Sequence, residues 1–294
     1  RDVSPLNGQL GAAQAVDQTF LRDAYLKSFA SLARSQSVPE ALWVTDNFAS
    51  NYYHWFCECL PRVFLARQFL KDVHVLLPES LAGIGFVTES LQSLAGVTYE
   101  FVPYSRSALV GRLWSVDLPS PKNTQRPDFF PSFRRELLDH IAPAGAGDAD
   151  RIYISRKNSG RRRLTNEATV RELLQANGFR PVEMELLTFR EQVGLMRSCR
   201  IVVSPHGAGL TNMMFMDCPG AVIEIRQDRN PKCFVGLASV CGHIHISIPA
   251  VPENSSVAAN RADLEVSLSD LERAISSLVQ GPFAQTNGLL WAAD

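Results

Sequence analysis

From residue 151 onward the chain alternates between short apolar runs and stretches with helical spacing, and this alternation restricts the fold more than any other feature. "RIYIS" (151–155) reads as a strand, and "EATVRELLQANGF" as a helix with Val170, Leu173 and Leu174 on one face, ended by Gly178. "PVEME" follows as a strand, and Thr188 with Glu191 predicts a capping box for the next helix. "RIVVS" is a strand, "LTNMMFM" a helix, and "AVIEI" and "HIHISI" two more strands. Ser269 and Glu272 are expected to cap a last helix striped by Leu271, Ile275, Leu278 and Val279. Parallel strands need crossover connections, so the repeat predicts a parallel sheet covered on both faces.

The first half repeats the alternation less cleanly. Strand-like runs are "ALWVT" (41–45), "VHVLL" (73–77), "YEFV" (99–102) and "ALVGRLWSV" (108–116). Between them "YYHWFCECLPRVFLARQFL" (52–70) has helical spacing with a kink or break expected at Pro61, and "FVTESLQSLAG" (86–96) is a helix stopped by Gly96. Residues 119–133, with four prolines, and "APAGAGDAD" (142–150) read as loops, the second as a hinge. The expectation is a two-domain α/β chain divided as 1–145 and 146–260. A helix and tail at 261–294 are free to pack back on the first domain.

Composition removes several classes. A hydrophobic share of 46% and a charged share of 20% fit a folded globular chain. A net charge of −1 gives no global attraction to nucleic acid, and no apolar run approaches the length of a membrane span. No leader is visible, although the chain starts at Arg1 rather than Met, which leaves room for a removed N-terminal segment. Cys57, Cys59, Cys199, Cys218, Cys233 and Cys241 lack the spacing of a disulfide framework and read as buried thiols of a cytoplasmic protein. One sequon, Asn254-Ser255-Ser256, is within chance expectation.

In an open α/β sheet ligands bind beyond the carboxyl ends of the strands, which is where "SPHGAGLTN" falls. Gly207, Ala208 and Gly209 would let the backbone approach a phosphate at a helix N-terminus, with His206 adding a hydrogen bond or charge; a tight turn needing positive φ explains the glycines equally well. Arg156, Lys157, Arg161, Arg162 and Arg163 follow the strand "RIYIS" and form a local anion trap, without the aromatic interleaving of a nucleic-acid surface. Glu224, among Val222, Ile223 and Ile225, needs a partner: a ribose diol, or a structural ion pair with Arg226 or a domain-mate. Asn51, His54, Glu58 and Arg62 form a polar set whose last three members share a helical face, suited to a base oriented by a carboxylate or to a surface network. Asp148-Ala149-Asp150 matches a short metal-binding pattern with a high chance rate. Cys241, His243 and His245 would share a strand face but lack zinc spacing, so no metal is expected. "HGAGL" has no central serine and cannot be a nucleophile elbow.

Taken together and in order, "NYYHWFCECLPR", "RIYISRKNSGRRRLTNE", "TFREQV" and "IVVSPHGAGLTNMMFMDCPGAVIEI" resemble the family 61 glycosyltransferases over roughly residues 45–250. That family includes bacterial capsule and lipopolysaccharide enzymes, plant xylosyltransferases and animal enzymes that add N-acetylglucosamine to proteins. The resemblance implies a GT-B fold, two Rossmann-like domains with parallel sheets facing a cleft, the first on the acceptor side and the second binding the donor. It implies inverting transfer from a nucleotide-sugar, usually a UDP-sugar, to a glycan hydroxyl, with no metal or other cofactor. By position, His206 to Asn212, Thr211 included, look like the donor diphosphate loop, Arg156 and the Arg161–163 run its cationic partners, and Glu224 a nucleotide contact. His54 or Glu58 is the base, with Asn51 and Arg62 beside the acceptor; Cys57 and Cys59 depart from the aliphatic or acidic residues expected around Glu58. A bacterial capsule or lipopolysaccharide role at the inner face of the membrane follows, with peripheral membrane association left open. A non-catalytic nucleotide- or glycan-binding module is the alternative.

Overall fold

A computed structural model describes residues 35–117, 125–145, 147–217, 219–227, 232–254, 256 and 261–279. Cys218, Ser255 of the sequon, Ala146 of the expected hinge and the ends of the chain, 1–34 and 280–294, lie outside them. The protein is a mixed α/β structure with two largely parallel sheets.

The first sheet contains β1 (Gln36–Trp43), β2 (Val73–Pro78), β3 (Val97–Val102) and β4 (Ala108–Ser115), ordered β3-β2-β1-β4 and parallel throughout. Helix α1 follows β1: α-helical over Tyr52–His54, π-helical over Trp55–Cys59, then α-helical over Leu60–Ala66. Pro61 neither breaks nor ends it. Having no N–H, it would leave an ordinary turn one bond short, and the wider turn absorbs that defect, with Leu60 N donating to Trp55 O. Helix α2 (Gly85–Gln92) precedes β3. Helix α3 (Phe130–His140) occupies the end of the stretch expected to be loop. Its proline lies in the first turn, where a missing N–H costs nothing, and Phe130, Phe133, Leu137 and Leu138 form its buried stripe.

The second sheet contains β5 (Arg151–Ile154), β6 (Arg180–Val182), β7 (Ile201–Pro205), β8 (Ala221–Arg226), β9 (Ile244–Pro252) and β10 (Leu264–Val266), ordered β6-β5-β7-β8-β9-β10. All neighbours are parallel except β9 and β10. Helix α4 (Glu167–Ala176) ends as expected: Gly178 has φ 78°, its N–H bonds to Gln175 O, and Phe179 N bonds to Leu174 O. That pattern is a Schellman stop, sealed because Phe179 and Leu174 share a core. Helix α5 (Phe189–Ser198) carries the expected Thr188–Glu191 capping box. After β7 comes a 3₁₀ helix, Ala208–Phe215, in place of the expected α-helix. Helix α6 (Cys233–Val240) precedes β9. In the last helix, α7 (Leu268–Val279), Ser267 caps, with Asp270 N donating to its Oγ, so the cap is two residues earlier than Ser269.

Alternate residues of the second sheet face two cores. Tyr153, Val203 and Ile223 pack with Val170 and Leu174 of α4 and Leu271, Ile275 and Leu278 of α7. The described part of α7 therefore covers the second sheet rather than returning to the first half. Ile152, Ile154 and Val202 face the other way, into a core shared with Leu42, Val75, Trp55 and Phe56 of the first half. Cys57, Cys59, Cys199 and Cys233 are buried free thiols and Cys241 is partly buried. Among the described residues no helix is long and apolar enough to cross a membrane.

Candidate functional site

In the second sheet the chain places β6 on one side of β5 and then β7, β8 and β9 on the other. The two crossovers diverge between β5 and β7, opening a crevice at the carboxyl ends of those strands. Arg156, two residues beyond β5, and Gly207, two beyond β7, meet in it: a Cβ on Gly207 would collide with the Arg156 guanidinium. Gly207 has φ 176°, extended backbone open to any residue, so the tight-turn explanation fails and lack of room is what demands glycine. Gly209 is also close-packed, its absent Cβ lying 3.2 Å from Ile154 Cγ2.

A cavity of about 630 Å³ opens beside this contact. Ser155, Arg156, Ser159, Met184, Glu185, Leu187, Thr188, Ser204 and Gly209 line it together with Tyr52, Phe86 and Glu89 of the first half. The volume suits a nucleotide-sized ligand.

The basic run separates into two groups. Arg156 donates to Ser159 Oγ at 2.7 Å and to Arg161 O at 3.1 Å, and among the described residues no carboxylate pairs with it. Burial, then the nearby Arg161, lowers its affinity for the proton. Burial, then Arg156 and Arg161, pulls the Arg162 guanidinium down to about 10. The Nε atoms of Arg156 and Arg162 and the hydroxyl of Thr211 are buried without a hydrogen-bond partner. Arg162 also holds a left-handed backbone, φ 56°, a strain of roughly 1–3 kcal/mol that clusters at functional sites. Mutually repelling, desolvated guanidiniums are stabilised by an anion. Lys157 and Arg163 belong elsewhere: Lys157 pairs with Glu183 at 2.7 Å and Arg163 with Asp263 at 2.6 Å.

Other candidates change role. Glu224 is fully buried, and its carboxylate accepts from His206 Nδ1 and, at 2.9 Å, from His245 Nε2. It is out of reach of a ribose. Burial alone would raise its proton affinity, but the His206 and His245 hydrogen bonds and charges outweigh it and hold Glu224 below the usual carboxylate range. Asn212, also fully buried, donates to Gln192 and Gly209 O and accepts from Tyr52 Oη at 2.8 Å, so it joins the halves. Ala208 is partly exposed on the same loop.

On α1, His54 Nδ1 and Glu58 Oε2 are 2.7 Å apart, and both side chains are about one-third exposed. The hydrogen bond to Glu58 raises the His54 pKa above its ordinary value, against the opposing effect of burial. Arg62 leaves this pair and donates to Val44 O at 2.8 Å, because the π turn spends an extra residue and rotates the remainder of the helix. Asn51 is the helix N-cap, accepting from Tyr53 N at 3.0 Å. The pair lies outside the cavity wall. Its link to the loop after β7 is Phe234, whose ring centroid is 5.5 Å from Tyr53 and 5.2 Å from His206.

Asp148 and Asp150 are exposed just before β5, at its amino end and so opposite the crevice, and Asp150 lies 3.7 Å from both Arg151 and Arg200. Cys241 and His243 precede β9 and do not share a strand face with His245. His243 accepts from Gly220 N and donates to Met213 O, a structural staple whose burial lowers its pKa to about 4.

Sequence reasoning missed the Met184–Thr188 wall, although the rule that located "SPHGAG" applies to the loop after β6. The contribution of Phe86 and Glu89 carried no local signal.

The chain matches the family described as Glycosyltransferase 61 over residues 52–223, more than half its length. It is 32% identical over 93 residues to the EGF domain-specific O-linked N-acetylglucosamine transferase of Drosophila melanogaster. That similarity covers 31% of this chain and 18% of the fly protein.

Proposed function

We propose, from the premise that this chain belongs to glycosyltransferase family 61, that it moves a sugar from a UDP-sugar to an acceptor hydroxyl with inversion and without a metal. Its being a glycosyltransferase rests on the family match and on the similarity to the fly enzyme. The donor reading rests on one observation above all, the Arg156 guanidinium, which lines the cavity and packs on Gly207. Uridine occupies the cavity, and the diphosphate lies against Arg156, Arg161, Arg162 and the Gly207–Gly209 backbone. Those guanidiniums and amides carry the neutralising charge that a metal would otherwise supply.

The acceptor hydroxyl approaches from the His54–Glu58 side. His54, oriented by Glu58, takes its proton as the oxygen attacks the anomeric carbon and the nucleoside diphosphate leaves from the opposite face. A GT-B-like arrangement, with the two sheets facing across a cleft, is the framework for that approach. By family resemblance the acceptor is a growing capsule or lipopolysaccharide glycan, reached at the inner face of a bacterial membrane by peripheral association.

Screening nucleotide-sugars by thermal shift identifies the donor, since a ligand of the native state raises Tm. With that donor, Arg156→Ala is expected to lower kcat by roughly 10²–10³, on the scale of one lost transition-state donor. EDTA is expected to leave turnover unchanged; strong inhibition by EDTA would return the charge-neutralising role to a metal. UDP binding with neither transfer nor donor hydrolysis would favour a non-catalytic module.

A further inference from the structure

The turn over residues 46–50, just after β1, presents one aromatic ring among polar side chains. Asp46, Asn47 and Ser50 are exposed on it, Ala49 is buried, and Phe48 stands 62% exposed between them. In the first sheet β1 is followed through α1 by β2 on one side and flanked by β4 on the other, so the strand order reverses at β1. Open α/β sheets bind ligands beyond the carboxyl ends of their strands at such a reversal, and the turn carrying Phe48 leaves β1 there.

A single exposed apolar side chain is ordinary, but this one is fixed in place. Phe48 N donates to Asp46 Oδ1 at 2.8 Å, and Phe48 O accepts from Asn51 N at 2.8 Å. Its ring stacks on His54, with centroids 5.1 Å apart and planes 27° from parallel. His54 is itself braced, by Glu58 Oε2 at 2.7 Å and by the Tyr53 ring, edge-on at 5.5 Å. A ring pinned through its backbone and stacked beside a partly exposed His–Glu pair is a prepared binding surface.

The geometry points to a carbohydrate subsite in which one sugar ring packs on Phe48, with Asp46, Asn47 and Glu58 as hydrogen-bond partners for its hydroxyls. This rests on the reading above that the acceptor approaches from the His54–Glu58 side, and it names what arrives there. The C–H bonds on one face of a pyranose carry partial positive charge and match the negative face of an aromatic ring. The hydroxyls at its edge need acceptors and donors, which two carboxylates and an amide supply. A peptide or a lipid surface needs contiguous apolar area, whereas the exposed neighbours of Phe48 on the turn are polar. A sugar seated on Phe48 lies next to the His54 ring, the proximity that a general base requires.

The probes are the methyl glycosides of glucose, galactose and mannose, with a threonine-containing tripeptide as the competing class. Saturation-transfer difference NMR is run on wild type, Phe48→Ala, Phe48→Leu and Phe48→Tyr. At least one glycoside is expected to receive saturation at its ring C–H protons in wild type. It is expected to bind about tenfold more weakly to the Ala and Leu variants and normally to Phe48→Tyr. Leucine keeps apolar bulk over His54 but lacks an aromatic face, so it separates stacking from mere shielding. UDP affinity, measured in parallel, is expected to be equal in all four proteins. No glycoside signal in wild type, a signal indifferent to the residue at 48 or retained by Phe48→Leu, saturation of the peptide alone, or UDP affinity lost in the Phe48 variants would each overturn the subsite. If a glycoside binds through Phe48 but His54→Gln transfers sugar to it at the wild-type rate, the base assignment fails and the subsite stands. Failure of wild type to bind UDP overturns the donor reading and leaves the glycoside result intact.

Discussion

At the scale of single residues, glycines with similar crowding have opposite expected consequences. At Gly207 the obstructing group is the end of a flexible arginine, which can swing aside. Gly207→Ala should therefore leave stability within about 1 kcal/mol of wild type while weakening UDP binding about as much as Arg156→Ala. At Gly194 the obstruction is the backbone oxygen of Ala144, which cannot yield cheaply, so Gly194→Ala is expected to cost roughly 1–3 kcal/mol and spare UDP affinity. Paired denaturation and titration of the two variants would expose an error as a reversed pattern. The sequence marked Gly207 as special and left two reasons open, approach of the backbone to a phosphate and a turn needing positive φ. The extended φ removes the second, and the crowding comes from the side chain of Arg156, on a distant segment of the chain.

Elements show the same division. The Thr188–Glu191 box and the Gly178 stop were legible because capping is local, settled within a few residues of chain. The 3₁₀ form of Ala208–Phe215 was not, since its conformation is set by enclosure, Leu210 to Phe215 all being buried. His243 fastens that element, donating to Met213 O while accepting from Gly220 N just before β8. With a folded-state pKa of about 4 against an ordinary 6.5, His243 is buried neutral, and between those values the unfolded chain binds more protons. Its contribution is complete above about pH 6.5 and is lost as pH falls toward 4, about 3 kcal/mol in all. Tm measured across that interval should fall, and less steeply in His243→Gln; equal slopes would remove His243 as the cause.

Across the whole molecule the two sheets share one core, and Tyr52 Oη donates to Asn212 Oδ1 at 2.8 Å between the halves. Calorimetry is expected to show a single transition, and Tyr52→Phe to lower stability by roughly 1–2 kcal/mol, because Asn212 is left with a buried unsatisfied oxygen. Two resolved transitions, or no loss in the variant, would sever that connection. The order of residues alone determined the β–α alternation, the largely parallel second sheet and the position of the anion loop at a carboxyl edge, because periodicity is a property of neighbouring residues along the chain and parallel strands require crossover connections. Only the tertiary structure decided which cations face the crevice, that Glu224 stands behind His206 instead of touching a ribose, and that α2 walls the cavity. Those outcomes depend on burial and on charges brought together from distant segments, and nothing within a local window encodes who the neighbour will be.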